Sequence, residues 1–122
     1  MSRELTGSPP PLGVNVRHAR GHVTIDLVGE LDLATAPRLR DQLAQVSEDG
    51  ADHITLDLTG LDFIDSTGLS VLVMAYTRAQ SSGGALTVRH PSAAVMRIFE
   101  ITGLASVFTI ETGDAPDTSA GE

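Results

Sequence analysis

Asp65-Ser66-Thr67-Gly68 gathers a carboxylate, two hydroxyls and a residue without a side chain into one polar string inside LDFIDSTGLSVLVMAY, residues 61–76. The run before it reads as a strand and the run after it as a helix. The string therefore falls at the C-terminal rim of an open α/β sheet, where ligands and chemistry usually collect. Two uses are open there. In the first, Asp65 or Ser66 caps the helix by accepting a bond from a first-turn N–H, worth about 1 kcal/mol, and Gly68 simply permits close packing. In the second, the Ser66 hydroxyl on an exposed turn receives a phosphate, an anion that the unpaired N–H groups and positive end of the helix tolerate. The two uses are compatible.

The neighbours shape the second use. Asp62 and Asp65 flank the hydroxyl, and Asp32 closes Gly-Glu-Leu-Asp at the end of another strand. A phosphate adding about −1.5 to −2 charge would meet like charge, so it would remodel a surface and find no basic cradle. The following helix carries Leu69, Leu72, Val73 and Tyr76 as its core stripe, with Val71, Met74 and Ala75 off that line. This surplus is either a docking face beside the hydroxyl or a face buried under a loop.

Other chemistries lack their residues. The chain has no cysteine, so thiol chemistry, disulfides and thiolate metal sites are excluded, and its four His are scattered. None of His18, His22, His53 or His90 is placed by sequence to activate Ser66 with an orienting carboxylate behind it. All eight basic residues are Arg. A phosphate-binding loop requires a Lys, as does the acidic pocket of a phospho-receiver domain, which Asp57, Asp62 and Asp65 otherwise resemble. Neither a catalytic site, a metal nor a cofactor is expected. The net charge of −8 argues against nucleic acid and anionic membranes as partners and favours a basic protein surface. No apolar run approaches the ~20 residues of a membrane span, and residues 1–13 lack the apolar core of a signal peptide, so a cytoplasmic location is expected.

The elements that must position the rim follow from periodicity. A chain of 122 residues is one domain by length. Residues 1–12 and 112–122, rich in Pro, Gly and Ser, read as flexible tails around a domain at 13–111. Val14–His18 and His22–Val28 read as a hairpin around Gly21. Val23, Ile25 and Leu27, then Ile54, Leu56 and Leu58, then Leu86 and Val88 alternate with polar residues, so one sheet face is apolar. Helices are expected after Thr35 as N-cap, from about Thr67 to Gln80, and after Ser92 as N-cap with Gly103 at the exit. Strand–helix–strand connections of this length imply right-handed crossovers between parallel strands. The fold class is α/β, a single-domain sandwich with a mixed, mostly parallel sheet opened by an antiparallel hairpin and helices mainly on one face.

GELDLATAPRL, LDLTGLDFIDSTGLSVLV and FEITGLASVFTI, in that order, resemble the STAS domain of bacterial anti-sigma factor antagonists over about residues 13–111. The resemblance implies that Ser66 is phosphorylated by an anti-sigma factor that is also a serine kinase. It implies that the unphosphorylated protein binds this kinase and so frees a sigma factor, and that a phosphatase reverses the modification. Asp32 would border the same surface and Gly68 would keep the helix start open. The partner-binding set is then Asp32, Asp62, Asp65, Ser66, Thr67, Gly68, Val71 and Met74. STAS domains also serve in transporters, stress-sensing assemblies and lipid-transport complexes, so a stand-alone interaction subunit is the alternative.

Overall fold

A computed structural model describes residues 11–112; most of both expected tails, 1–10 and 113–122, lies outside the described residues. Leu12, grouped with the N-terminal tail on composition, is instead a fully buried strand residue.

Strands β1 (Leu12–Ala19) and β2 (His22–Leu31) pair antiparallel across Arg20 and Gly21, both at positive φ, 47° and 80°. That combination is the turn whose twist suits a two-residue hairpin. The chain continues through α1 (Ala36–Glu48), β3 (His53–Ile64), α2 (Ser66–Ser81), β4 (Ala85–Arg89), α3 (Ala93–Thr102), a 3₁₀ turn (Leu104–Ser106) and β5 (Thr109–Glu111). The sheet order is β1-β2-β3-β4-β5, with every pair after the hairpin parallel. Because spatial order equals chain order, successive right-handed crossovers advance in one direction and leave α1, α2 and α3 on the same face.

That face holds the core. Val23, Ile25, Leu27, Leu56, Leu58, Leu86 and Val88 are buried beneath Leu39, Leu43 and Val46 of α1 and Val95 and Phe99 of α3. Ser92 caps α3 by accepting from the Val95 N–H, and Gly103 ends it at φ 82°. The closing motif packs Phe108 edge-on between Tyr76 and Phe99.

Two strands run further than periodicity predicts. β2 continues past Val28 to Leu31 and β3 past Leu58 to Ile64. Register shifts between Asp26 and Val28 and between Gly29 and Glu30 break the alternation there. Gly29 sits at φ 112°, where the Pro11 carbonyl oxygen lies against the place a Cβ would take. A side chain cannot occupy that place, so β2 passes the chain before β1 only with glycine there.

The inward stripe of α2 also differs. Gly68, Val71, Leu72 and Ala79 are buried, whereas Leu69, Val73 and Tyr76 are only half-buried. Val71, placed off the core stripe as either docking face or buried face, is 3% exposed and belongs to the core. Small residues explain the rotation: the helix approaches the sheet through Gly68 and Ala79, which carry too little apolar bulk to register in a hydrophobic stripe. Met74 is exposed.

On the polar face the register sets Asp57 opposite Arg89, yet Arg89 pairs with Glu111 at 3.2 Å while Asp57 accepts from the Thr59 N–H and hydroxyl. Arg17 grips Asp26 through Nε and a terminal nitrogen at 3.0 and 2.9 Å. This hydrogen bonding holds the Asp26 carboxyl below its ordinary value against the opposing effect of burial. A carboxylate with a lowered folded pKa adds stability above its unfolded value of about 3.9 and loses it as pH falls through the folded value. Asp26→Asn is therefore expected to narrow, slightly, the difference between urea midpoints at neutral pH and about pH 3. An unchanged difference would mean the pair is fully screened.

Candidate functional site

The rim is assembled where β2 and β3 end side by side, with Leu31 opposite Ile64. The Asp65 N–H donates to the Leu31 carbonyl at 3.1 Å and ties the two strand ends together. Asp65 then turns into α2 from an extended conformation, φ −108° and ψ −174°. Its Oδ1 accepts from the Gly68 N–H at 2.9 Å, and its Oδ2 accepts from the Leu33 N–H at 3.0 Å. Asp65 is thus the cap and also the brace of the neighbouring loop.

This settles which residue caps. Ser66 is the first residue of the helix, exposed, and among the described residues nothing hydrogen-bonds its hydroxyl. Asp65 satisfies the third N–H of the helix, leaving those of Ser66 and Thr67 without a partner among the described residues, as expected at a helix start. Thr67 is half-buried, and one turn on the Ser70 hydroxyl donates to the Ser66 carbonyl at 3.0 Å.

Asp32 stands across the rim but is occupied. Its Oδ1 accepts from the Ala34 and Thr35 N–H groups at 3.0 and 3.1 Å, and its carbonyl accepts from the Ala36 N–H at 2.7 Å. Asp32 therefore builds the entry to α1. Thr35, expected to cap that helix, makes no side-chain cap bond; its buried hydroxyl accepts from the Asp32 N–H and donates to the Glu30 carbonyl. Asp62 is exposed on β3. No Arg contacts Asp32, Asp62 or Asp65 among the described residues, so the rim is acidic without compensation.

The structure therefore brings Asp32, Asp65, Ser66, Thr67 and Gly68 together, with Asp62 beside them. Met74 lies two turns along α2, about 12 Å from Ser66 at 1.5 Å per residue. Val71 is under the helix and leaves the surface set. Two apolar residues at the rim escape sequence reasoning: Leu33, 74% exposed beside Asp65, and Phe63, 46% exposed. Phe63 is pushed outward because the buried residues there, Leu61 and Ile64, are spaced by three and not two. Its only signal in the sequence is an aromatic residue immediately before the polar string.

Asp65→Asn is expected to cost about 1–3 kcal/mol, since an amide has one acceptor oxygen and must abandon either Gly68 or Leu33. Faster amide exchange at one of those two N–H groups and a lower urea midpoint would display it. Unchanged exchange at both would contradict the double role.

Among the described residues no three His, Asp or Glu are placed to hold a metal ion, and no helix is long and apolar enough to cross a membrane. The rim thus closes an α/β sheet with helices on one face, where Asp65 caps α2 and the next residue, Ser66, is exposed. The sequence matches the family described as "Mlab, STAS domain" over residues 14–110, and the chain belongs to the STAS domain family. It is 33% identical over 99 residues to the anti-sigma-B factor antagonist of Bacillus subtilis (strain 168), covering 81% of this chain and 90% of the relative. It is 32% identical to the anti-sigma F factor antagonist of Paenibacillus polymyxa, covering 81% and 86% of the two chains. The fold superposes on the crystal structure of an anti-sigma factor antagonist from Mycobacterium paratuberculosis with a TM-score of 0.77 at 26% identity, covering 87% of this chain and 91% of the other.

Proposed function

We propose that this protein is an anti-sigma factor antagonist switched by phosphorylation of Ser66. Unphosphorylated, it binds an anti-sigma factor in the cytoplasm and so releases a sigma factor. The anti-sigma factor, acting as a serine kinase, phosphorylates Ser66 and ends the contact, and a phosphatase restores it. The protein itself contributes a docking surface and an acceptor hydroxyl, with no catalysis of its own.

One observation carries the reading. Asp65 does all the capping with both carboxylate oxygens engaged, which leaves Ser66 exposed, its hydroxyl and two adjacent N–H groups without a partner among the described residues. A serine that only capped the helix would have its oxygen turned onto those groups. The test is incubation with the cognate kinase, Mg²⁺ and ATP, followed by peptide mapping. Phosphate on Ser66 alone is expected. Phosphate on Thr67, Ser70 or an Asp, or none with an active kinase, would overturn the proposal. A stand-alone subunit of a stress-sensing or lipid-transport complex would need no such modification.

A further inference from the structure

A groove between α1 and α2 lies apart from the Ser66 rim. One cavity of about 70 Å³ is lined by Arg40, Leu43, Val71, Met74, Ala75 and Arg78. A second, of about 40 Å³, shares Leu43, Ala75 and Arg78 and is lined also by Ala51, Asp52 and Ile54. The floor is apolar: Val71 and Leu43 are buried, and Met74 stands 55% exposed at the edge. Arg40 from α1 and Arg78 from α2 are exposed on the two walls.

The arginines give the groove its chemistry. Arg40 and Arg78 stand one on each helix beside the same apolar cavity, in a chain with sixteen Asp and Glu for eight Arg. Among the described residues the ion pairs are Arg17–Asp26 and Arg89–Glu111, and neither Arg40 nor Arg78 has any partner. Two exposed guanidinium groups, one from each helix and neither in an ion pair among the described residues, line the same apolar cavity and offer planar forks to carboxylates beside an inserted apolar side chain. The cavities are far below the roughly 300–1,000 Å³ of sites that enclose small-molecule ligands, and their size suits one or two side chains.

We propose that the α1–α2 groove docks an acidic amphipathic helix of a protein partner, its apolar residues one turn apart seated on Leu43, Val71 and Met74 and its flanking carboxylates on Arg40 and Arg78. The complementarity is opposite to that of the rim, where Asp32, Asp62 and Asp65 call for basic groups. Anchoring by i and i+4 side chains is the usual geometry of a helix in a groove. Met74 is about 12 Å along α2 from Ser66, so a phosphate at Ser66 is beyond the Debye length of about 8 Å at physiological salt. Docking here is therefore independent of Ser66. The overall charge of −8 slows the approach of an acidic partner, so selectivity resides in the two contacts themselves.

The probes are two synthetic helical peptides with identical Leu and Ile positions, one with Glu and one with Lys on the flanks, titrated into ¹⁵N-labelled full-length protein. The Glu peptide is expected to shift amides within residues 40–47 and 71–79, leaving those of 65–68 unmoved, with the Lys peptide at least about tenfold weaker. The double variant Arg40→Glu/Arg78→Glu, on exposed positions, should reverse the order of the two peptides while keeping its circular dichroism spectrum. Ser66→Glu should not change either affinity. Equal affinities for both peptides, or shifts at the Ser66 rim instead, would overturn the proposal. So would decanoate producing the same groove shifts when neither peptide does, or a dimer in sedimentation that the double variant dissociates.

Discussion

Ser66→Glu is expected to lose about a hundredfold or more in affinity for the anti-sigma factor while keeping an unchanged circular dichroism spectrum. Ser66→Ala should bind as the unphosphorylated protein does and be impossible to switch off. The asymmetry follows from where the charge sits. Within the fold, an anion on Ser66 lies beside the free Ser66 and Thr67 N–H groups at the positive end of α2, a placement that stabilises a helix by about 0.3–1 kcal/mol. Folding therefore offers no reason for the protein to change shape. Within a contact, the same anion must be desolvated among Asp32, Asp62 and Asp65, none of which forms an ion pair with an arginine among the described residues. A loss of ~3 kcal/mol there is already more than about a hundredfold in Kd. The exposed Leu33 and Phe63 deepen the penalty, because they bring an apolar seal around the place where the phosphate would be trapped. Titration calorimetry of both variants and of phosphorylated protein, alongside backbone NMR shifts, measures both halves. Equal affinities would reject the mechanism, as would shift changes running through β2 and β3 and not confined to residues 31–33 and 62–70.

The parts of this fold that are legible in the sequence are those where burial follows one period. Val23, Ile25 and Leu27 alternate because β2 has one face on the helices and one toward solvent. Ser92 and Gly103 mark the ends of α3 because their roles are local, needing only a side-chain acceptor and a positive φ. Legibility fails where two elements meet. The two register shifts put an extra residue in β3 opposite β2, between Asp57 and Gly60 and between Leu61 and Phe63, so the strands' continuation to Leu31 and Ile64 cannot be read from either strand alone. The face of α2 is set by contact through Gly68 and Ala79, and hydropathy is blind to residues that matter by being small.

The site divides along the same line. Asp65 and Ser66 are found from spacing alone and the Gly68 N–H shows that Asp65 is the cap, whereas the second bond of Asp65, to Leu33, 32 residues away in the chain, is invisible to spacing. Val71 is lost from the docking set and Leu33 and Phe63 join the rim for one reason. Exposure at a junction is decided by the neighbouring element's approach, which no periodic pattern of the residue's own element contains.

Gly68 is where that approach is closest, and its substitution is expected to damage fold and switch together. A Cβ there would lie 2.8 Å from Leu31 Cγ, 2.9 Å from Ile64 Cγ1 and 2.9 Å from the Leu31 carbonyl oxygen. Leu31 and Ile64 are at most 2% exposed, so neither side chain has space to retreat. The carbonyl is fixed as well, since it accepts the Asp65 N–H that joins the strand ends. Gly68→Ala must therefore lift the first turn of α2. Overpacking of this kind costs about 1–3 kcal/mol, partly offset by the ~1 kcal/mol that Ala gains over Gly in a helix. Gly68→Val loses most of that offset and adds two methyl groups, so its net cost should be the full ~3 kcal/mol or more. Lifting the turn also draws the residue-68 N–H from Asp65 Oδ1, and with it the geometry that holds Ser66 outward. Urea midpoints should fall in the order wild type, Gly68→Ala, Gly68→Val. Kinase-dependent phosphorylation of Ser66 should slow in the same order even at temperatures where each variant is folded. The exposed Ser70→Ala, one turn along the same helix, should leave both readouts near wild type. If Gly68→Val matched the wild type in midpoint, the close contact with Leu31 would not be what seats α2; if its stability fell while Ser66 was phosphorylated at the normal rate, the helix start would be positioned by the Asp65–Leu33 bond alone.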